Sequence, residues 1–149
     1  MDAARNHAPT RLLARARTLA PAESEGIPWL HELQRDERER ALHDLKVVQV
    51  SAGELLCRVG RPATYWFGVI DGLLKMSNDT AMGVPITFTG IPPGGWFGEG
   101  TVIKREAYRY NIQALRKSVV AGLSVEAFHW LIERSIPFNR FITQQLNER

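Results

Sequence analysis

The sequence predicts a mainly β domain with flanking helices, built as a double-stranded β-helix or jelly roll and followed by a C-terminal helix. Three observations predict it. From Val47 to Leu123 the chain falls into seven or eight short apolar runs bounded by Gly, Pro, Asn or Asp, the pattern of a small all-β sandwich, roll or barrel. On either side of that block, apolar residues recur at three and four, the period of helices. The stretch Gly94-Gly95-Trp96-Phe97-Gly98-Glu99-Gly100-Thr101 holds four glycines within seven residues around one carboxylate. Glycine at that density allows close backbone approach or a left-handed turn. Backbone N–H groups exposed after such a turn, at the start of a helix, form an anion site.

Taken in order, residues 1–27 are rich in Ala, Arg and Pro and read as a flexible arm, with Leu12, Leu13 and Leu19 able to form a short amphipathic turn. Pro28-Trp29-Leu30 opens a short helix, with proline in a tolerated first-turn position. Asp36 and Glu39 have capping-box spacing for a helix running to about Leu45. From Val47 the period becomes two. Val47–Val50, Glu54–Val59 and Tyr65–Ile70 read as strands, and Asp71-Gly72 as a hairpin turn into Leu73–Met76. Asn78-Asp79-Thr80 and Gly83 turn the chain into Pro85–Thr89, and Tyr108–Leu115 and Val119–Leu123 complete the sheets. Ser124 is placed to cap a helix carrying Phe128, Trp130, Leu131 and Ile132. Pro137 restarts it as a last helix with one apolar stripe, Phe138, Phe141, Ile142 and Gln145-Leu146.

Composition narrows the function. At 149 residues, 44% hydrophobic and 23% charged, the chain is one ordinary globular domain. A net charge of +3 suits an anionic ligand but is no nucleic-acid footprint. The single cysteine, Cys57, excludes an internal disulfide and points to the cytoplasm, and its apolar surroundings predict a buried, inert thiol. No apolar run is long enough to span a membrane. The four histidines, His7, His31, His43 and His129, all fall outside the predicted strands, which argues against a jelly-roll metal enzyme. His129 is a remote candidate for a haem ligand and reads as a packed or surface residue. The glycine loop lacks the lysine of a phosphate-binding P-loop and the spacing of a dinucleotide fingerprint. The expectation is a protein that is not an enzyme.

One ordered set of motifs carries a resemblance. Phe97-Gly98-Glu99, a spacer and a strand ending Ile112-Gln113-Ala114 resemble the phosphate-binding cassette of cyclic-nucleotide-binding domains. Gly53-Glu54-Leu55-Leu56, Gly60 and Val69–Lys75 extend the likeness upstream, so that it covers roughly Trp29 to Arg149. The nearest kind is the sensor domain of Crp/Fnr-type bacterial transcription regulators. The resemblance implies a β-roll over residues 28–134 and, over 135–149, the start of a dimerisation helix whose stripe is Phe138, Phe141, Ile142 and Gln145. It implies a homodimer, with DNA bound only by an intact protein carrying a further winged helix-turn-helix domain. It also implies a ligand site at Phe97, Gly98, Glu99, Gly100, Thr101, Tyr108, Arg109 and Tyr110. In the family, backbone N–H groups hold the cyclic phosphate, a glutamate takes the ribose 2′-hydroxyl and an arginine neutralises the phosphate.

The chain departs from that pattern at the arginine. With Ile112 and Ala114 as anchors, Tyr108 stands where arginine belongs, Arg109 at the small-residue position and Tyr110 at the first alanine. Strand parity puts Tyr108, Tyr110, Ile112 and Ala114 on the inner face and Arg109, Asn111 and Gln113 on the outer. A one-residue bulge would turn Arg109 inward. Without one, binding of a cAMP-like cofactor is weak or absent, and Glu99 caps its own loop. The alternative to an effector sensor is a ligand-free dimerisation or interaction module.

Overall fold

The computed structural model describes residues 14–78 and 87–148, with only the backbone of Thr87 and Phe88. The expectations for residues 1–13, for the turn at Asp79, Thr80 and Gly83 and for Pro85 and Ile86 lie outside those residues.

Two antiparallel sheets face each other. One contains β1 (Arg17–Thr18), β2 (Lys46–Val50), β9 (Ser118–Ser124), β4 (Tyr65–Asp71) and β7 (Trp96–Phe97), in that order. The other contains β3 (Leu55–Cys57), β8 (Asn111–Ala114), β5 (Leu74–Asn78) and β6 (Thr87–Ile91). The helices are α1 (Pro21–Ser24), α2 (Arg35–Asp44), α3 (Glu99–Lys104), α4 (Val125–Arg134) and α5 (Ile136–Asn147), with a 3₁₀ turn at Leu30–Glu32. This is the mainly β roll with flanking helices that the spacing of strands and turns predicts.

The central strands of the first sheet, β4 and β9, are buried on both faces, which explains their near-continuous apolar runs. Alternate residues separate cleanly into two cores. Val48, Val50, Phe67, Val69, Phe97 and Val120 face the second sheet and close the roll against Leu56, Leu74, Ile112 and Ala114. Val47, Trp66, Trp96, Ala121 and Leu123 face the other way, into a layer of helices with Trp29, Leu30, Phe128, Leu131 and Phe138. Gly68 makes room on that face: a Cβ there would lie 2.0 Å from the Trp96 ring.

Four details correct the expectations. Asp71-Gly72 closes no hairpin: β4 pairs with β7 and β9, while β5 pairs with β6 and β8 in the opposite sheet. Gly72, at φ +110°, carries the chain between sheets, and a Cβ there would come within 2.1 Å of Ser118 Oγ. Second, the first long helix is capped two residues earlier than Asp36, at Gln34, where the Glu37 carboxylate accepts from the Gln34 N–H at 3.1 Å. Third, residues 14–27 are docked on the domain and do not form a free arm. β1 pairs with β2, Arg15 reaches the Glu54 carboxylate at 2.9 Å, Arg17 meets Glu23 at 2.6 Å, and Ile27 is fully buried. Fourth, the strand at Tyr108–Leu115 is trimmed to Asn111–Ala114. Ser124 caps α4 as its position predicts, accepting from the Ala127 N–H at 3.2 Å.

Candidate functional site

The glycine loop joins the two sheets to the helices. Gly94 and Gly98 both take positive φ, +88° and +90°, as an L side chain rarely does. Gly98 turns the chain from β7 straight into α3, and the Val102 N–H returns to the Gly98 carbonyl at 3.1 Å. Arg105, at φ 56°, ends α3 in the left-handed conformation. The His129 imidazole bonds the Val102 carbonyl at 3.0 Å, which ties α3 to α4.

The predicted parity holds at the decisive positions. Tyr108 is 5% exposed and faces the roll, whereas the Arg109 side chain is 74% exposed and pairs with Glu106 at 3.2 Å. No bulge turns Arg109 inward. The irregularity in this region falls on β3, between Leu55 and Cys57. The Tyr108 hydroxyl donates to the Tyr65 carbonyl at 3.2 Å. Burial, together with the neighbouring Cys57 thiol, pushes this phenol far above its usual range, so it stays a neutral donor. Burial likewise pushes the Cys57 thiol up, as an inert core cysteine requires.

Tyr110 occupies the space in front of the turn. Its ring sits 5.7 Å from that of Tyr108, and a Cβ on Gly98 would come within 2.5 Å of its hydroxyl. The two tyrosines therefore line the roll at the mouth of the glycine loop. Asn111 and Gln113 satisfy neighbouring backbone instead, at Val59 N–H (2.9 Å) and Gly53 O (3.0 Å).

Glu99 takes a position that sequence reasoning missed. It is 1% exposed and accepts a hydrogen bond from the Trp66 indole N–H at 3.2 Å. Trp66 belongs to the helix-side core, not to the roll. One oxygen of the carboxyl group is thus bonded to a ring of the helix-side core. Trp66 was unmarked in the sequence because its partner is 33 residues away. Gly100 and half-exposed Thr101 continue α3, and a Cβ on Gly100 would touch Leu146 of α5 at 3.9 Å.

The stripe assigned to a second subunit faces the chain itself. Phe138 and Ile142 are 0% and 3% exposed, Phe141 is half-buried against the same core, and Gln145 donates to the Trp96 carbonyl at 2.9 Å. In this packing those four residues dock α5 on the domain, and Ile136, at 67% exposed, lies on the opposite face with Arg140 and Thr143. An apolar stripe alone does not say whether its partner is the chain's own core or another chain. Among the described residues no cluster of His, Cys, Asp or Glu could hold a metal ion, and no helix is long and apolar enough to cross a membrane.

The comparisons with known proteins agree with this architecture. The family model of the cyclic nucleotide-binding domain matches residues 47–135. The sensor domain of the transcriptional regulator DNR from Pseudomonas aeruginosa superposes with a TM-score of 0.73 at 18% identity, over 86% of each chain. The regulatory domain of Toxoplasma gondii PKA with cAMP gives 0.72 at 19% identity, over 86% of this chain and 48% of that one. The regulatory subunit of a cAMP-independent protein kinase A from Trypanosoma brucei gives 0.68 at 18% identity, over 80% of this chain and 43% of that one. The chain thus spans about half the length of the kinase regulatory chains it matches. At these identities the likeness establishes the fold alone. No curated protein matches the chain in sequence.

Proposed function

Because the chain belongs to the cyclic nucleotide-binding domain family, we propose that it is the effector-sensing domain of a Crp/Fnr-type transcription regulator. A small ligand, a cyclic nucleotide or another anion, would bind at Phe97–Thr101 and alter how α5 packs. That change would alter how two subunits pair and, in the intact regulator, how DNA is held. Two features support the reading: the ordered glycine loop feeding α3, and the docking of α5 against that same helix. With Phe138 and Ile142 buried at home, the pairing surface on α5 would be the face of Ile136, Arg140 and Thr143. Sedimentation of the chain tests the pairing, and a strict monomer removes it.

The observation that narrows the ligand is the outward guanidinium of Arg109 beside inward Tyr108 and Tyr110. A cyclic phosphate in the roll would lack its counter-charge. Loss of one hydrogen bond to a charged group costs about 1.5–3 kcal/mol, or one to two decades of affinity. We therefore expect calorimetric titration with cAMP to give no dissociation constant of about 1 μM or tighter; one that tight overturns this part of the proposal.

The second reading, a ligand-free interaction module, is favoured by the Tyr110 hydroxyl standing where a ligand would approach Gly98. Thermal-shift screening of nucleotides and small anions separates the two. Saturable stabilisation by one compound supports the sensor, and a flat response supports the module.

A further inference from the structure

The cassette glutamate and the terminal helix meet on one side chain. Glu99 opens α3, and its carboxyl group is bonded to the Trp66 indole at 3.2 Å in the core. The Trp66 ring in turn lies edge-on to Phe138 at 5.6 Å and to Phe141 at 6.3 Å, both on α5, and to Phe128 of α4 at 5.2 Å. It also packs on Trp96 at 4.5 Å, whose carbonyl accepts from Gln145 near the end of α5. One buried polar contact therefore joins the start of the cassette helix to the rings on which α5 rests.

We propose that the Glu99–Trp66 hydrogen bond is the group that couples the cassette to α5. A buried donor or acceptor that loses its partner is destabilised more than one replaced together with that partner. Breaking the bond frees the Trp66 indole to tilt, and its neighbours Phe138 and Phe141 lose their fixed contact. α5 then loosens while the two-sheet roll stays closed, because the roll packs on the other face of β4. What breaks the bond in the working protein rests on the effector-sensing reading: a ligand hydroxyl in the roll that engages Glu99 would draw the carboxyl group away from Trp66. The tryptophan is a positioning residue in this scheme, and it holds the glutamate out of the site at rest.

The test is residue-resolved amide hydrogen exchange on the whole chain, comparing wild type, Glu99→Met, Trp66→Phe and the double variant. Glu99→Met keeps side-chain length and removes the acceptor; Trp66→Phe keeps a ring and removes the donor. Each single variant should speed exchange of the α5 amides about ten- to a hundred-fold, with the amides of β5 and β8 unchanged. The double variant should fall short of the product of the two singles, as a coupled pair does. A uniform rise over both sheets, an unchanged α5 or strictly multiplicative effects would each overturn the coupling. If Glu99→Met does not fold, Trp66→Phe alone still gives the α5-against-roll contrast. The experiment needs no effector, so its failure and a negative cAMP titration are separate results.

Discussion

The two faces of the first sheet have been filled in opposite ways. The helix-side face is built of large rings, Trp29, Trp66, Trp96, Phe128 and Phe138, with one carboxyl group bonded among them. The roll-side core holds two phenylalanines, Phe67 and Phe97, among aliphatic groups, together with a thiol and two phenols, Cys57, Tyr108 and Tyr110, and, among the described residues, no tryptophan. The family's recognition scheme needs a carboxylate and a guanidinium in the roll. Here the carboxyl group is bonded to Trp66 of the helix-side core and the guanidinium lies in solvent. The roll has the family's shape with two phenols facing inward, so shape alone does not name a ligand at this site.

The largest effect that would test this contrast is loss of a ring from the helix side. Phe138 makes edge-on contacts with Trp29, Trp66 and Phe128 at 5.4–5.6 Å. Phe138→Ala should cost about 3–5 kcal/mol in urea unfolding, whereas Ile112→Val in the roll should cost about 0.5–1.5 kcal/mol. Equal losses would mean that the helical layer is no special anchor.

The next effect sharpens the picture of the roll's mouth. Gly98→Ala meets two penalties: left-handed backbone, about 1–2 kcal/mol, and overlap with the Tyr110 hydroxyl, about 1–3 kcal/mol. Tyr110→Phe removes the overlapping oxygen and leaves the next ring atom at 3.8 Å. The double variant Gly98→Ala, Tyr110→Phe should regain the second part only. If Tyr110→Phe gives no recovery of thermal stability, the phenol does not stand over the turn.

The smallest effect concerns the β1 edge of the first sheet. The Arg17 guanidinium holds the Glu23 carboxyl group below the usual carboxylate range, with partial burial opposing and the Ala20 N–H assisting. A depressed folded-state pKa gives stability that is present above the ordinary glutamate value and is lost as pH falls through the folded one. Exchange at β1 and α1 should therefore rise on acidification in that window, and Glu23→Gln should flatten the rise. A profile identical in wild type and Glu23→Gln would detach the pair from the docking of this edge.

Much of this was legible from residue order. Period-two runs and turn signals gave the roll, and parity placed Tyr108 inside and Arg109 outside, a placement that holds although both residues precede β8. What stayed hidden depended on partners distant in sequence. Asp71-Gly72 carries a strong hairpin signal, yet which sheet receives the next strand depends on β8 and β6. The stripe on α5 was visible, but its burial against Trp29 and Trp66 was not. Arg15 and Ile27 read as part of an arm because what holds them, Glu54 and the helix-side core, lies outside their own neighbourhood. Glu99 had two readings, ribose contact and loop cap, and neither revealed its bond to an indole far upstream.

The indoles of Trp29, Trp66 and Trp96 stand 4.5–5.3 Å apart at interplanar angles of 38–83°. Chromophores that close and that skewed share their excited states, so the domain carries an optical gauge at the junction of sheet and helices. A circular dichroism band from that trio would respond to a small rotation of Trp66 without any label, turning the core's own pigments into a reporter on the cassette.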